Sequence, residues 1–186
     1  WSACGGSKQL MQSGNTVASL ANNTLVIPDA PVAAAGEIAS FITPQSKFFR
    51  IDTAIGSTPQ LKVAEWELRI HGLVDKEITL NMKDIMALPQ VEHVITLGCV
   101  SNEIGGDLIG NARWGGVLLS DVLKLAGVQK TATQLASTSS DGWTCGTPVD
   151  AVLDGRPAML AISMNGETLT AEHGFPIRMI VPGLFG

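Results

Sequence analysis

The pattern of apolar and charged residues changes at about residue 47, where Phe48 and Phe49 begin a segment rich in apolar positions. Further along, Trp66, Leu68 and Ile70 alternate with three charged residues. Because successive side chains of a strand point to opposite faces, this alternation predicts a strand with one buried face. We therefore expect the folded part of the chain to lie in this region.

A short helix and a second strand are predicted next. Residues 81–88 suit a helix, with Asn81 or Thr79 able to cap its first amide groups and Pro89 marking its end. The apolar positions of residues 91–98 indicate a strand that leads directly into a turn. Cys99 therefore stands where a predicted strand ends.

The second half of the chain is dominated by predicted strands. A second helix is expected over residues 120–126, where Ser120 can cap the start and Gly127 can take the left-handed conformation that closes the last turn. Asn165-Gly166 is a strong signal for a hairpin turn. The predicted strands of this half are residues 134–139, 158–164 and 175–181. Runs of strands mixed with short helices predict the α+β class.

Residues 1–40 show no such pattern. They are rich in Ala, Ser, Asn, Gly and Pro and have no sustained period, which predicts a low-complexity tether. The sequence around Cys4 is similar to the region after a bacterial lipoprotein cleavage site, but a flexible linker cysteine is the favoured interpretation. We therefore expect two parts, a tether over residues 1–40 and one domain over residues 41–186.

Composition excludes several classes of function. Only 16% of the 186 residues are charged and the net charge is -5, which argues against nucleic acid or anionic lipid as a partner. No uninterrupted apolar run reaches the roughly 18 residues of a membrane span. The cysteines, Cys4, Cys99 and Cys145, form no C-x-x-C pair, so neither a zinc knuckle nor a disulfide-dense scaffold is supported. A single cysteine with a special role is the better interpretation.

Glycine is concentrated around Cys99. Six glycines fall within residues 98–116, which predicts a loop that turns sharply or brings its backbone close to a bulky ligand. A cysteine at the mouth of such a loop can present a thiolate, the soft ligand that a sulfur-coordinated metal accepts. A buried free cysteine in a glycine-rich turn is the alternative, and the residues taken alone favour it.

Three separated motifs resemble segments of the sulfite oxidase superfamily of molybdopterin enzymes, in the family's order. They are residues 96–107 with 110–117 around Cys99, residues 49–54 (Phe-Arg-Ile-Asp-Thr-Ala), and residues 172–178 (Glu-His-Gly-Phe-Pro-Ile-Arg) leading into Val-Pro-Gly at 181–183. The resemblance covers residues 41–186 and implies a mixed-sheet, molybdopterin-binding α+β domain with short helices. It also implies that Cys99 ligates molybdenum beside the two dithiolene sulfurs of the pterin.

The same resemblance implies the other residues of the site. Arg50 is expected near the metal, with a part in catalysis. The residues expected to hold the cofactor are Arg50, Asp52, Cys99, Asn102, Arg113, Asp141, His173 and Arg178. An arginine fork suits the phosphate of the pterin, and an imidazole can donate one hydrogen bond.

Several of these residues also suit purely structural roles. His173 and Arg178 could form a surface pair at a hairpin edge, and Arg113 could stack on Trp114 as a structural cation–indole pair. Asp141 precedes Gly142 and could serve only the geometry of a turn. Cys145 could face the metal cavity or be a small buried side chain.

Two departures from the family pattern bear on the substrate. In sulfite oxidases a basic pair follows the ligand cysteine, whereas here residues 100–104 are Val-Ser-Asn-Glu-Ile. The family's active-site tyrosine falls near Cys145, and this chain contains no Tyr. The resemblance therefore implies two-electron oxygen-atom transfer on a small-molecule substrate other than sulfite, with reduction of an S-oxide or N-oxide as the favoured direction. A non-catalytic cofactor-binding or interaction module derived from this fold is the alternative.

Resemblance to bacterial relatives also implies a cellular setting. We expect an extracytoplasmic domain tethered to a membrane by an N-terminal segment that is missing here, with a membrane or haem electron-transfer partner. The family continues beyond the Val-Pro-Gly segment, whereas this chain stops at Gly186. The expectation from this difference is a C-terminally truncated domain that holds the cofactor weakly.

Overall fold

The computed structural model describes residues 40–51 and 58–186. Short 3₁₀ turns over Gln45–Lys47, Val63–Glu65 and Ala171–His173 connect the longer elements. In chain order those elements are β1 (Glu67–Ile70), β2 (Ile78–Asn81), α1 (Met82–Ala87), β3 (Gln90–Gly98), β4 (Ile109–Leu118), α2 (Leu119–Ala126), β5 (Gln134–Thr138), β6 (Thr144–Pro148), α3 (Val149–Leu153), β7 (Met159–Met164), β8 (Glu167–Thr168) and β9 (Arg178–Ile180). The predicted α+β class is confirmed, and the predicted tether over residues 1–40 lies almost wholly outside the described residues.

A five-stranded sheet forms the centre of the domain. Its strands follow the order β3-β4-β7-β8, with β9 also paired to β7, and every one of these pairings is antiparallel. The β3–β4 pair runs without a break from Gln90 opposite Val117 to Gly98 opposite Ile109. All six residues of β7 are buried, because this strand has neighbours on both edges and a core on both faces.

The two faces of the central sheet carry separate cores. The front face, as we call it, is the one on which Phe48 packs against Leu97 of β3 and Trp114 of β4. The back face is covered by α1, α2 and α3 and by the β1–β2 and β5–β6 hairpins. The register places Arg178 opposite Ala161, a residue of the front core, so the side chain of Arg178 lies on the front face.

The helix boundaries follow local capping chemistry. The Asn81 side chain accepts a hydrogen bond from the Asp84 amide, and the Asp84 side chain accepts one from the Asn81 amide, which completes a capping box at the start of α1. Gly127 ends α2 with a φ of 68°, as predicted. The prediction that Ser120 caps α2 is wrong, because the helix begins one residue earlier and no side chain caps it.

The glycine-rich region is a strand over half of its length, which corrects the expectation of a loop throughout. Gly116 lies in β4, and a Cβ atom there would stand 2.0 Å from the Leu160 carbonyl oxygen on the neighbouring strand. A Cβ atom at Gly110 would stand 2.7 Å from the ring of Phe48. These two glycines make room for the domain's own core rather than for a ligand.

Turn chemistry accounts for the chain between β7 and β9. Asn165 and Gly166 have φ angles of 56° and 84° and join β7 to β8, which confirms the predicted hairpin turn. The strand predicted over residues 175–181 is shorter, Arg178–Ile180, since Pro176 has no N–H to donate to a ladder. No helix within the described ranges is long and apolar enough to cross a membrane.

Candidate functional site

Cys99 leads from β3 into a loop that folds back on itself. Its amide donates to the Leu108 carbonyl at 2.9 Å, and its carbonyl accepts from the Asn102 amide at 3.0 Å, which closes a turn over residues 99–102. The Asn102 side chain accepts a hydrogen bond from the Leu108 amide at 2.8 Å. Asn102, expected to hold the cofactor, therefore also fixes the loop that presents Cys99.

The thiol of Cys99 is accessible and polarised. Its sulfur lies 3.0 Å from the hydroxyl oxygen of Ser101. The pKa of Cys99 is lowered, first by this side-chain hydrogen bond and then by the backbone amides of Ser101 and Val100, with a small opposing effect of burial. A thiol whose pKa is lowered and which remains accessible is suited to bind a metal as the thiolate. The sequence alone did not indicate Ser101, although it stands two residues after the cysteine.

The front face carries two of the predicted site residues, His173 and Arg178, and β3 leads from this face to Cys99. Ile95 and Leu97 of β3 point into the front core, and the alternation of side chains carries Cys99 to the same side. The Arg178 guanidinium lies over the Trp114 ring, 5.6 Å from its centre, on this face. His173 packs edge-on against Phe48, with ring centres 5.9 Å apart. His173 and Arg178 therefore border the front core together, and Cys99 follows two residues after Leu97 of the same core, just beyond the end of β3.

Arg178 carries a desolvated positive charge. Burial lowers its pKa below the usual value, which shows that the surroundings disfavour the charged form. Within the described residues it has the stacking contact with Trp114 and no carboxylate partner. A desolvated guanidinium without a carboxylate is a strong binding group for an anion such as a phosphate.

His173 is buried and held in one orientation. Its Nε2 atom lies 3.1 Å from the carbonyl oxygen of Gln45, so this nitrogen carries the hydrogen and donates. Burial is the largest cause of its lowered pKa; the hydrogen bond to Gln45 opposes this effect, and the charges of Arg178 and Arg50 reinforce it. The imidazole is therefore neutral at pH 7, and its Nδ1 atom is left as an acceptor.

Arg50 lines a cleft beside His173. Its guanidinium pairs with Glu172 at 2.6 Å and donates to the Thr58 hydroxyl at 2.8 Å. The cleft has a volume of about 570 Å³, and Phe48 and Asn165 also line it. Glu172 belongs to the motif over residues 172–178 but was not predicted as a site residue, and it offsets the charge of Arg50. Asp52, the other residue predicted in this segment, lies outside the described residues.

Arg113 lies on the back face, away from these residues. Because it is adjacent to Trp114 on β4, its side chain points to the opposite side, where it pairs with Glu92 at 3.5 Å. The cation–indole pair considered for Arg113 does exist, but its cation is Arg178. The stacking interpretation is therefore wrong for Arg113, and its assignment to the cofactor stays a prediction.

Asp141 occupies the turn between β5 and β6. Its carboxylate accepts hydrogen bonds from the Ser139 hydroxyl and, at 3.1 Å, from the Trp143 amide. Cys145 of β6 is partly buried opposite Ser137. The hairpin packs on the back face through Leu135. Turn chemistry thus explains Asp141 locally, and its contact with the pterin stays a prediction.

Comparisons with known proteins show the family of this chain. Residues 55–186 match the family described as the oxidoreductase molybdopterin binding domain. The uncharacterized oxidoreductase YuiH of Bacillus subtilis is 36% identical over 123 residues, 66% of this chain and 60% of YuiH. Sulfite oxidase of Arabidopsis thaliana is 32% identical over 180 residues, covering 80% of this chain and 45% of that protein.

A solved structure shares the fold. The sulfane dehydrogenase SoxCD of Paracoccus pantotrophus superposes with a TM-score of 0.72 at 29% identity, covering 80% of this chain and 41% of that chain. The chain thus spans less than two thirds of the length of each of these three relatives. The match over residues 55–186 and the similarity to sulfite oxidase show that the chain belongs to the oxidoreductase molybdopterin-binding domain family.

Proposed function

We propose that this protein catalyses a two-electron oxygen-atom transfer with molybdopterin as cofactor and Cys99 as the protein's ligand to molybdenum. The observation that carries the proposal is the front face of the central sheet. There a neutral buried imidazole and a desolvated guanidinium without a carboxylate partner among the described residues border one core, and the strand β3 of this sheet leads directly to a polarised, accessible thiol. The thiol is suited to the metal, the imidazole to the pterin, and the guanidinium to the phosphate of the pterin.

The residues present fit the cofactor. The Cys99 thiolate is a soft donor, which a sulfur-coordinated metal accepts. The Arg178 guanidinium supplies the positive charge that a phosphate needs, although the chain as a whole is acidic. When bound, the cofactor supplies the centre that accepts or gives two electrons and an oxygen atom.

The residues around this centre have distinct tasks. The Gln45 carbonyl fixes the tautomer of His173, which leaves Nδ1 as an acceptor for an N–H group of the pterin. Glu172 holds the Arg50 guanidinium at 2.6 Å and limits the net charge at the cleft. The stacked ring of Trp114 restricts Arg178 to one plane, which reduces the entropy lost on binding an anion.

The surroundings of Cys99 favour an uncharged substrate. Residues 100–107 contain Glu103 and Asp107 but no basic residue, and Val100 and Ile104 are strongly exposed. A pocket for sulfite would need positive charge here, since an anion beside carboxylates is repelled. A small S-oxide or N-oxide meets no such repulsion, and we propose its reduction as the reaction.

We also propose an extracytoplasmic location for this domain, on a membrane tether, with a membrane or haem protein as electron donor. The support is the low-complexity composition of residues 1–40 and the resemblance to exported bacterial relatives. Fractionation of cells that express the natural gene tests this proposal. Recovery of the protein with the cytosolic fraction would contradict it.

Metal and pterin analysis tests the assignment of function. The full-length natural protein is produced in a host that synthesises molybdopterin, and molybdenum and pterin are measured per chain in the wild type, Cys99→Ser and Cys145→Ser. We expect both in the wild type, loss of molybdenum in Cys99→Ser, and no change in Cys145→Ser. A wild-type protein without pterin, or Cys99→Ser with undiminished molybdenum, would contradict the proposal and favour a non-catalytic module.

A further inference from the structure

Ser101 is a polar residue beside Cys99 to which the proposed function assigns no task. Its hydroxyl oxygen lies 3.0 Å from the Cys99 sulfur, within the distance of a hydrogen bond to sulfur. No other side-chain hydrogen bond to this sulfur occurs among the described residues. Among the described residues, the Ser101 hydroxyl is thus the one side-chain group that can form a hydrogen bond with the sulfur and so change its electron density.

The contact follows from the fold of the loop. The hydrogen bond between the Asn102 amide and the Cys99 carbonyl closes a four-residue turn and places Ser101 at its third position. The turn is anchored to the far end of the loop, since the Asn102 side chain accepts from the Leu108 amide at 2.8 Å. A Cβ atom at Gly106 would stand 2.8 Å from that same side-chain oxygen, so the loop is closely packed at this point. The backbone therefore holds Ser101 near Cys99.

We propose that Ser101 is a positioning residue that donates a hydrogen bond to the Cys99 thiolate and raises the reduction potential of the bound molybdenum. This inference rests on the proposed function, because it takes Cys99 to be the metal ligand. A metal-bound thiolate has no proton to give, so the direction of the hydrogen bond is from the Ser101 hydroxyl to the sulfur.

The effect on the metal follows from charge. A hydrogen bond withdraws electron density from the ligand sulfur, which then donates less to the metal and makes the oxidised state less stable relative to the reduced one. An enzyme that must accept electrons before it removes oxygen from a substrate benefits from a higher potential. The contact with Ser101 is therefore consistent with reduction of an oxide as the direction of the reaction.

The experiment compares the wild type, Ser101→Ala and Ser101→Thr as loaded holoenzymes, with Ser120→Ala as a control in α2. An EPR-monitored redox titration gives the Mo(VI)/Mo(V) potential, and absorption spectra give the energy of the sulfur-to-molybdenum charge-transfer band. We expect Ser101→Ala to shift the equilibrium toward Mo(VI) by up to about tenfold, about 59 mV for a one-electron couple. Its charge-transfer band moves to longer wavelength, because the sulfur becomes a better donor.

The controls separate this role from a structural one. Ser101→Thr keeps the hydroxyl and is expected to retain the wild-type potential and band, and Ser120→Ala is expected to change neither. An unchanged potential and band in Ser101→Ala, with full molybdenum content, would overturn the inference and leave the proposed function intact. Failure of the proposed function is recognised separately, as undiminished molybdenum in Cys99→Ser.

Discussion

Removal of the Arg178 guanidinium is expected to have opposite effects on stability and on cofactor binding. Arg178→Met keeps much of the side-chain length but deletes the charge. The loss of the contact with Trp114 costs about 0.5–2 kcal/mol. Against this, the guanidinium is partly desolvated and has no carboxylate partner among the described residues, and the cost of that desolvation disappears in the variant.

The direction of the effect on the free energy of unfolding follows from the direction of the pKa shift. Burial lowers the pKa of Arg178, so folding disfavours the protonated form that is present in both states at pH 7. The charge therefore destabilises the folded domain at neutral pH. In the absence of cofactor, we expect the free energy of unfolding of Arg178→Met to be unchanged or higher by about 1–2 kcal/mol.

Binding of the cofactor is expected to weaken in the same variant. Loss of a charge-assisted hydrogen bond to a phosphate costs about 1.5–3 kcal/mol, or roughly ten- to hundredfold in affinity. Urea denaturation of the cofactor-free protein at pH 7 measures the first effect, and pterin content after purification measures the second.

Arg156→Met is the matched control for this prediction. Its guanidinium pairs with Asp154 at 2.6 Å and donates to the Pro182 carbonyl at 2.8 Å, so deletion is expected to lower the free energy of unfolding of the domain. A loss of more than about 2 kcal/mol in cofactor-free Arg178→Met would refute the argument, because it would show that Arg178 is satisfied within the folded domain.

Three further predictions follow from the same structure. Since burial lowers the pKa of His173, its neutral form stabilises the fold above its ordinary pKa of about 6.5, and this stabilisation is lost as the pH falls. The free energy of unfolding should therefore decrease less between pH 7 and pH 5 in His173→Gln than in the wild type. An equal decrease in the two proteins would contradict this prediction. Gly116→Ala should destabilise the domain by about 3 kcal/mol or more in urea denaturation, because its Cβ atom would overlap a backbone oxygen. Gly142→Ala has free space around its Cβ atom but an unfavourable φ, and it should destabilise the domain by about 1 kcal/mol. Steady-state kinetics should show poor oxidation of sulfite, because residues 100–107 supply no positive charge, and a kcat/KM like that of sulfite oxidases would disprove it.

Local chemistry made much of the fold predictable from the sequence. Asn81 and Pro89 bracket α1, Gly127 ends α2, and Asn165-Gly166 makes the hairpin turn, because each depends only on neighbouring residues. β4 could not be predicted in the same way. Its glycines indicate a loop locally, and the reason for Gly116 is a contact with Leu160, which is distant in the sequence.

The candidate site was predictable in part for a similar reason. The resemblance predicted Cys99, His173 and Arg178 as site residues, and the register of β9 on β7 places Arg178 at the front core, where His173 also packs. The side chain of Arg113 lies on the opposite face of β4, because successive side chains of a strand point to opposite faces. This placement could be inferred only once β4 was known to be a strand. The contact between Ser101 and Cys99 depends on a turn closed by a backbone hydrogen bond, and the residue types alone do not specify it.

Ligation of molybdenum by Cys99 is the central claim, and X-ray absorption at the molybdenum edge tests it most directly. The measurement compares wild-type protein with Cys99→Ser, both purified from a host that makes molybdopterin, with Cys145→Ser as control. We predict that Cys99→Ser holds less molybdenum than the wild type, that any molybdenum it retains has one sulfur neighbour fewer, and that Cys145→Ser matches the wild type. The same sulfur coordination in the wild type and in Cys99→Ser would contradict the claim.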